Sequence, residues 1–417
     1  MNPLLEKLLN FGRLVIPQSV FDALAPYYHQ GLAYLAAIWY GFPTRNMTVI
    51  GVTGTNGKST VVFMLDKILS AAGYKTASLS TIQFKIGELE WPNNLKMTMP
   101  GRFAIQEFLN KALFSGCKYA VLEVTSQGIV QSRHLFIDFS AAVLTNLSPE
   151  HIEAHGGFEN YKAAKLELFK TTKKIHVLPE AVPELKEFYD VPAEQKIFFS
   201  PAKNDLDLKL KLAGDFNLTN ALAAAAAARA LGVTDAIIKY ALENIETIPG
   251  RTENVKLQTP EGEFPKDFQV IIDYAHTPEA LEALYKTFSP AAPLVCVFGS
   301  AGGGRDKWKR PEFGKIASKY CTRIILTDED PYEENPNQII AEIEAGITPE
   351  KKSATSKILD RREAIKTAIL SAKQGDAVLI TGKGSEELIM IGKNKIPWSD
   401  QRVAKETLNE LWHPVKK

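Results

Sequence analysis

Apolar residues fall into two rhythms along the chain. Short, nearly unbroken runs rich in Val, Ile and Leu read as buried strands. Longer stretches with an apolar residue at every third or fourth position read as one-faced helices. Residues 48–52 (TVIGV) are the first strand-like run. A glycine-rich turn follows, and residues 61–72 continue as a helix with Val62, Leu65, Ile68 and Leu69 on one face. Residues 119–124 (YAVLEV), 141–144 (AAVL) and 175–178 are further strands, and residues 158–170 have a helical pattern. Residues 217–231 (NLTNALAAAAAARAL) predict a helix, because alanine has the highest helix propensity and the polar Asn217, Thr219 and Asn220 open the run as a cap does. The rhythm breaks at Ile248-Pro249-Gly250 and then restarts. Residues 270–273, 294–298, 323–327 and 377–381 are strands, with helices over 279–288, 312–320, 338–345 and 361–374. Strands this apolar, spaced by helices, predict parallel sheets covered on both faces. The expected organisation is a short helical N-terminal segment (1–46), a central α/β domain (47–248) and a C-terminal α/β domain (249–417), without a repeat of fixed period.

Residues 31–42 (GLAYLAAIWYGF) are the most apolar segment. At 12 residues it falls short of the roughly 20 needed to span a bilayer, which leaves a docked helix or, given Tyr34, Trp39 and Tyr40, a helix resting weakly on a membrane surface. A length of 417 residues suits two to three domains. Hydrophobic residues make up 45% and charged residues 23%, which excludes a mainly disordered chain. Lys plus Arg is 49 and Asp plus Glu is 48, so no global charge draws the chain to nucleic acid. Cys117, Cys296 and Cys321 are odd in number and without CxxC spacing, which argues against a disulfide framework or a zinc knuckle and fits a reducing cytoplasm. Residues 1–12 show no secretory signal, and a monomer is expected.

Residues 51–60 (GVTGTNGKST) lie between a strand and a helix, the context a phosphate loop requires. Gly54 and Gly57 let amide N–H groups converge on phosphate oxygens, Lys58 supplies a point charge, and the Ser59 hydroxyl suits Mg²⁺. Val52 stands where the longer GxxxxGK[ST] pattern has its first glycine, but the GxxGK[ST] core is intact. A bare strand-to-helix turn would have no packing use for the Lys–Ser pair.

This loop resembles the ATP loop of the Mur ligase superfamily, which joins an acid to an amine using ATP and which includes the folylpolyglutamate synthetases. Residues 123–133 (EVTSQGIVQSR), 145–169 (TNLSPEHIEAHGGFENYKAAKLELF), 273–281 (DYAHTPEAL), 302–311 (GGGRDKWKRP) and 381–386 (TGKGSE) carry the resemblance in order along most of the chain. They are most similar to the UDP-N-acetylmuramoyl-tripeptide synthetase branch, which extends the peptidoglycan stem peptide. The resemblance implies a central P-loop ATPase-like parallel-sheet domain and a Rossmann-like C-terminal domain. It implies a cytoplasmic ligase that energises a muramoyl-peptide carboxylate, UDP-linked or otherwise, as an acyl phosphate and then joins it to a free amino acid.

The same resemblance assigns residues. Gly54, Thr55, Asn56, Gly57, Lys58, Ser59 and Thr60 would cradle ATP, with Asn217 and Asn220 at the adenine and Arg251, Asp273 and His276 closing from the C-terminal domain. Lys58, Glu123, His151 and Lys165 would form the catalytic group, and Ser59, Glu123, His151 and a carbamylated Lys165 would hold Mg²⁺. By chemistry alone His151 reads as a structural histidine and Lys165 as a surface lysine, so only the resemblance gives them these roles. Thr98, Thr125, Gln131 and Arg133 stand at acid-substrate positions, and Arg305, Gly382 and Glu386 at amino-acid positions.

Three features depart from the family pattern. Only some 46 residues precede the first core strand, where typical members carry a uridine-binding domain. Glu329-Asp330-Pro331-Tyr332 occupies the Asp-Asn-Pro-Arg position of diaminopimelate-adding members, so that Glu329, Asp330, Glu333 and Glu334 would suit an amine-bearing side chain or form a solvated acidic loop. Gln127, Ser385 and Met99 replace two histidines and a threonine. A folylpolyglutamate-synthetase-like ligase and a nucleotide-binding module without catalysis are the competing expectations.

Overall fold

The computed structural model describes residues 18–256, 258–259, 262–263 and 268–412, so the expectation for residues 1–17 lies outside the described residues. Two sheets organise the chain. The first has the order β4-β3-β2-β5-β1-β6-β7-β8, built from β1 (Thr48–Thr53), β2 (Thr76–Leu79), β3 (Gln83–Ile86), β4 (Leu89–Pro92), β5 (Tyr119–Glu123), β6 (Phe139–Leu144), β7 (Ile175–Pro179) and β8 (Gln195–Phe199). β2, β5, β1, β6, β7 and β8 pair in parallel, whereas β3 and β4 fold back antiparallel at one edge. The edge hairpin escapes a reading from apolar runs because its strands are four residues long and Lys85 of β3 is buried in an ion pair with Asp66 (2.7 Å).

On one face of this sheet, helices Lys58–Ala71, Asp215–Ala230 and Asp235–Glu243 share a core with β1, β5 and β6. Ala221 and Ala223 to Ala228 are all buried, and their small side chains let the helix axis approach both the Lys58 helix and the sheet. That approach brings Asn217 and Asn220 to the phosphate loop. Helices Arg102–Phe114 and Phe158–Thr171 cover the other face. The N-terminal helix Gln18–Trp39 contains residues 31–39 of the apolar segment foreseen at 31–42 and docks with the small residues Ala33, Ala36 and Ala37 inward. Tyr34, Leu35, Ile38 and Trp39 of the same turns are exposed, so only half of that segment is covered. Among the described residues, no helix is long and apolar enough to cross a membrane.

The second sheet has the order β15-β14-β13-β16-β12-β9, from β9 (Glu253–Asn254), β12 (Gln269–Asp273), β13 (Leu294–Phe298), β14 (Cys321–Leu326), β15 (Thr355–Lys357) and β16 (Ala377–Thr381). It is parallel except at β9. β10 (Gln258–Thr259) with β11 (Gly262–Glu263), and β17 (Leu388–Ile391) with β18 (Asn394–Pro397), form separate antiparallel pairs. Helices Pro278–Phe288, Lys309–Tyr320 and Pro336–Glu344 pack on one face, and Arg361–Leu370 and Asp400–Trp412 on the other.

The cysteine expectation needs one correction. Cys296 and Cys321 form a disulfide. They are 25 residues apart in sequence but lie on β13 and β14, which are parallel neighbours, and sequence spacing carries no information about strand adjacency. Cys117 is free and buried.

One buried ion pair fixes the loops at the sheet's carboxyl end. The Arg361 guanidinium meets Asp400 through two bonds (2.8 and 2.7 Å) and also donates to the carbonyls of Asp328 (3.1 Å) and Thr381 (2.8 Å). Trp398 Nε1 donates to the same carboxylate (2.7 Å). Removing one partner of a buried pair leaves the other uncompensated, so Asp400→Ala should destabilise folding by about 3–5 kcal/mol in denaturant titration. A loss below about 1 kcal/mol, as for exposed pairs, would contradict this account.

Candidate active site

The carboxyl ends of both sheets face a shared cleft of about 740 Å³. The cleft lies where open α/β sheets bind ligands, outside the strand termini. On the central-domain side, β1 ends at Thr53 and the Lys58 helix begins five residues later. The turn between them has no room for side chains at two points. Gly54 (φ +145°) and Gly57 (φ +80°) take conformations open to glycine, and a Cβ on either would collide with Thr145 or with the Asn220 amide respectively. Asn146 clamps the turn, its Oδ1 accepting from Asn56 N (2.9 Å) and its Nδ2 donating to Asn56 O (3.0 Å). Thr55 Oγ1 reaches Ser148 and the Tyr161 hydroxyl (3.0 Å).

Two buried amines flank the turn. Lys58 Nζ donates to Thr55 O (2.7 Å), and burial pulls its pKa down against the opposing pull of Glu123 and Glu150. Lys165 is 1% exposed. Its Nζ donates to Gly54 O (2.6 Å) and lies 4.4 Å over the Tyr161 ring, without a carboxylate partner. Burial, then the repulsion of Lys58, drives its pKa well below the usual lysine range. Lys165 and Gly54 therefore sit behind the loop rather than on the cleft wall, and an exposed face for Lys165 is excluded.

Opposite the loop, Glu123 at the end of β5 accepts from Ser59 Oγ (2.7 Å) and from Thr81 N (2.8 Å). His151 has a left-handed backbone (φ +56°), lines the cleft, and is pushed to about 2 by burial, with Arg305, Lys309, His276 and Lys58 adding. It is thus a neutral imidazole. Beside it Glu150 is buried, with one oxygen 3.3 Å from Lys309 Nζ and the other, Oε2, without a hydrogen bond. Among the described residues no three His, Cys, Asp or Glu side chains gather into a metal cage. The Ser59 hydroxyl and the Glu123 carboxylate, which are bonded to each other, and the Glu150 carboxylate elsewhere on the cleft lining are hard oxygens of the kind Mg²⁺ takes when phosphates complete its shell.

The C-terminal domain closes on this face. Arg251 reaches Ser59 Oγ (3.4 Å) and stacks 4.4 Å over the Tyr274 ring. Asp273 is spent on the amides of Thr252 and Ala275 (both 2.7 Å). His276 is lowered to about 3, mainly by burial, and is neutral like His151. Asp306 accepts from the amides of Ile152 (3.2 Å) and Glu153 (3.0 Å), which pins the two domains together at the helix that follows His151. Asn217, Asn220 and Phe216 line the cleft above the loop, with Asn217 Nδ2 also bonded to Ala213 O (2.7 Å).

Two further groups complete the cleft wall. Thr98, Thr125, Gln131 and Arg133 lie together on the central domain. Thr98 Oγ1 meets Thr81 Oγ1 (2.7 Å), Thr125 caps the short helix Ser126–Val130, and Arg133 is held by Met99 O and by Gln131 (2.5 Å). Arg305, Gly382 and Glu386 lie on the C-terminal domain. Against the cost of burial, Lys383 and Lys96 hold Glu386 down to about 2. Lys96 crosses from the central domain to Asp330 (2.8 Å) and Glu386 (2.5 Å). Reading the sequence missed Lys96, because a lone lysine in a polar loop carries no local signal. Glu150 and Lys309 were also missed, although both sit inside the quoted EHIEAHGG and GGGRDKWKRP neighbourhoods.

The chain matches the Mur ligase middle domain over residues 52–205 and the Mur ligase, glutamate ligase domain over residues 250–384. A UDP-N-acetylmuramoyl-L-alanyl-D-glutamate–2,6-diaminopimelate ligase from Syntrophomonas wolfei is 37% identical over 407 residues, covering 90% of this chain and 81% of the relative. The chain belongs to the Mur ligase family. A UDP-N-acetylmuramyl-tripeptide synthetase from Roseiflexus is 36% identical over 445 residues, covering 96% and 85%. Folylpolyglutamate synthase of Mycobacterium tuberculosis, solved with ADP and AMPPCP, superposes with a TM-score of 0.66 over 95% of this chain and 97% of that one, and at 16% identity it shows the fold alone. As a Mur ligase the chain is an ATP-dependent enzyme that forms a carbon–nitrogen bond. The ligase cleft therefore has to serve three reactants: ATP, an acid and an amine.

Proposed function

We propose that this ligase adds an amino acid to the terminal carboxylate of a muramoyl peptide in cytoplasmic peptidoglycan precursor synthesis, and thus serves cell-wall growth, cell shape and division. The observation that carries the reading is the arrangement of the cleft, in which the phosphate loop with Lys58 lies between the Thr98, Thr125, Gln131 and Arg133 group on one domain and the Arg305, Gly382 and Glu386 group on the other. A substrate carboxylate oxygen attacks the γ-phosphorus of ATP, the bond to the β-phosphate oxygen breaks, and an acyl phosphate forms. The amine then attacks the carbonyl carbon, and phosphate leaves with one oxygen of the original carboxylate. Negative charge builds on oxygen in both steps, so catalysis is mainly positioning and charge stabilisation. Lys58 and Arg251 meet the phosphates, Asn217 and Asn220 the adenine, and Thr98, Thr125, Gln131 and Arg133 the acid. Arg305, Gly382 and Glu386 orient the amine component. Ser59, Glu123 and His151 would hold Mg²⁺, which would supply positive charge against the developing phosphate charge when bound.

Lys165 has the properties of a lysine that accepts CO₂. Its amine is buried, lacks a carboxylate partner and has a pKa well below the usual lysine range, which favours the neutral nucleophile more than in an exposed lysine. In our reading its carbamate supplies the negative charge that the site otherwise lacks behind the loop. The cleft is closed by Asp306, Lys309 and Lys96, which keeps water from the acyl phosphate.

An ADP-release screen tests the reading, with muramoyl dipeptides offered in UDP-linked and lipid-linked form against the common amino acids. Turnover that requires both a muramoyl peptide and an amino acid supports it. Turnover with a folate alone would transfer the chain to folylpolyglutamate-like chemistry, and no turnover with any acid would favour a binding module. Lys96→Ala should raise the KM of the amino acid roughly tenfold and leave the Kd of ATP within about threefold, since Lys96 spans the amine side of the closed cleft. An unchanged KM would remove Lys96 from the closure. The chain acts as a monomer in this reading. Weak membrane contact through residues 31–42 belongs to it as well, motivated by the exposed Tyr34, Leu35, Ile38 and Trp39. Failure to co-sediment with vesicles would dismiss that contact.

A further inference from the structure

Three basic side chains meet where the N-terminal helix Gln18–Trp39 packs on the helix Arg102–Phe114. Arg102 Nη2 donates to the carbonyl of Gln131 (2.5 Å), and Arg133 Nη2 donates to the side-chain Oε1 of the same residue (2.5 Å). The two guanidiniums therefore bracket Gln131. His29 of the N-terminal helix faces both: burial lowers its pKa, and the charges of Arg102 and Arg133 lower it further. Its Nδ1 is buried without a hydrogen bond. Burial and then the charge of Arg102 pull Arg133 down as well. What opposes burial at Arg102 is the phenol of Tyr28, and among the described residues no carboxylate pairs with either arginine.

Cations gathered without a counter-charge repel one another, and an arriving anion relieves that repulsion. Holding the loop at Gln131 takes hydrogen-bond donors, not charge, so a purely structural role leaves both charges unexplained. The cluster also has a definite place relative to the phosphate loop. Ser59 is bonded to Glu123 (2.7 Å), Glu123 to Thr81 N (2.8 Å), and Thr81 to Thr98 (2.7 Å). Arg133, held by Met99 O, also lines the cleft, whereas Arg102 and His29 stand behind it, outside the cleft lining. An acid placed for phosphoryl transfer has its reacting carboxylate at the phosphate loop. In a muramoyl peptide the opposite end is the anomeric carbon of the sugar, which carries a diphosphate in both the UDP-linked and the lipid-linked form. The cluster thus stands on the side where that diphosphate leaves the cleft.

We propose that His29, Arg102 and Arg133 bind the diphosphate that joins the acid substrate to its carrier. This rests on the ligase reading and deepens it, assigning the carrier end of the acid to the junction of the N-terminal helix with the central domain. A guanidinium fork matches phosphate oxygens in pairs, and the imidazole adds a further hydrogen bond. The chemistry recognised is phosphate, which a nucleotide carrier and a lipid carrier share.

The test compares kcat/KM for ATP-dependent ligation of a free muramoyl dipeptide, its anomeric phosphate, its UDP-linked form and its lipid-linked form in detergent micelles. In the wild type the anomeric phosphate and at least one diphosphate-linked form should exceed the free dipeptide by about thirtyfold or more, mainly through KM. Arg102→Gln should cut that ratio to about threefold or less, and Arg102→Lys, which keeps the charge but not the fork, should restore part of it. His29→Gln should lower the ratio by about threefold or more and carries the comparison if Arg102→Gln does not fold. A lead for the UDP-linked form identifies a nucleotide carrier and a lead for the lipid-linked form a membrane carrier, and either supports the site. Equal use of free and phosphorylated dipeptide by the wild type, or a ratio that both Arg102→Gln and His29→Gln preserve, overturns the site while the ligase reading stands. Ligation of no acid at all would instead overturn the ligase reading. Calorimetric titration of the anomeric phosphate of N-acetylmuramic acid then still decides the site: weaker binding by Arg102→Gln or His29→Gln supports it, and equal binding or none by the wild type ends it.

Discussion

Lys165→Ala is expected to lower kcat by about a thousandfold while changing the Kd of ATP by less than about threefold. The split follows from where the residue lies. Lys165 touches the back of the loop at Gly54 O and the Tyr161 ring, not the cleft wall, so the nucleotide's direct contacts survive its loss. What the variant removes is the group that, as a carbamate, would supply negative charge behind the loop. Activity of the wild type should accordingly fall in CO₂-depleted buffer and return with bicarbonate, and ¹³C-bicarbonate should give a carbamate resonance that Lys165→Ala lacks. Short carboxylic acids should partly rescue the variant. Normal turnover by Lys165→Ala, or a wild type indifferent to CO₂, would contradict the role.

Lys58→Ala should fail at both stages. Its ammonium is the only cation on the loop itself, Arg251 arriving from the other domain through Ser59. Binding of ATP should weaken by about a hundredfold and kcat by about a thousandfold or more, because the charge that meets the phosphates in the ground state grows more important as the γ-phosphoryl group moves. Isothermal titration and single-turnover ADP release measure the two separately. A variant that binds ATP normally and loses only kcat would move Lys58 away from the ground-state phosphates.

Most of the strands and the helices between them were legible, because their signal is local: Leu294–Phe298 and Ala377–Thr381 are buried apolar runs with the bounds their patterns predict. The hairpin β2–β4 was not, since its strands are short and one inward position is a charged lysine whose partner, Asp66, lies on a helix. The phosphate loop was legible from Gly54, Gly57, Lys58 and Ser59 alone, because its chemistry is contiguous. The burial of Lys165 was invisible, because it depends on a loop 111 residues away. The acidic stretch from Glu329 to Glu334 shows the same limit. Its composition suggested an acidic loop that is either solvated or open to an amine, but Lys96 and Lys383 pair with Asp330, Arg310 with Glu334, and Lys393 stands near Glu333. The bond between Cys296 and Cys321 likewise follows from strand order, which spacing along the chain does not contain.

The central claim is that the acid is activated by phosphoryl transfer to its own carboxylate. Ligation of a muramoyl dipeptide labelled with ¹⁸O in its terminal carboxylate tests this directly, with the released phosphate read by mass spectrometry. The mechanism predicts one ¹⁸O in each phosphate released in step with amide formation. Unlabelled phosphate accompanying the same amide would show that the carboxylate oxygen never met the γ-phosphorus, and would contradict it.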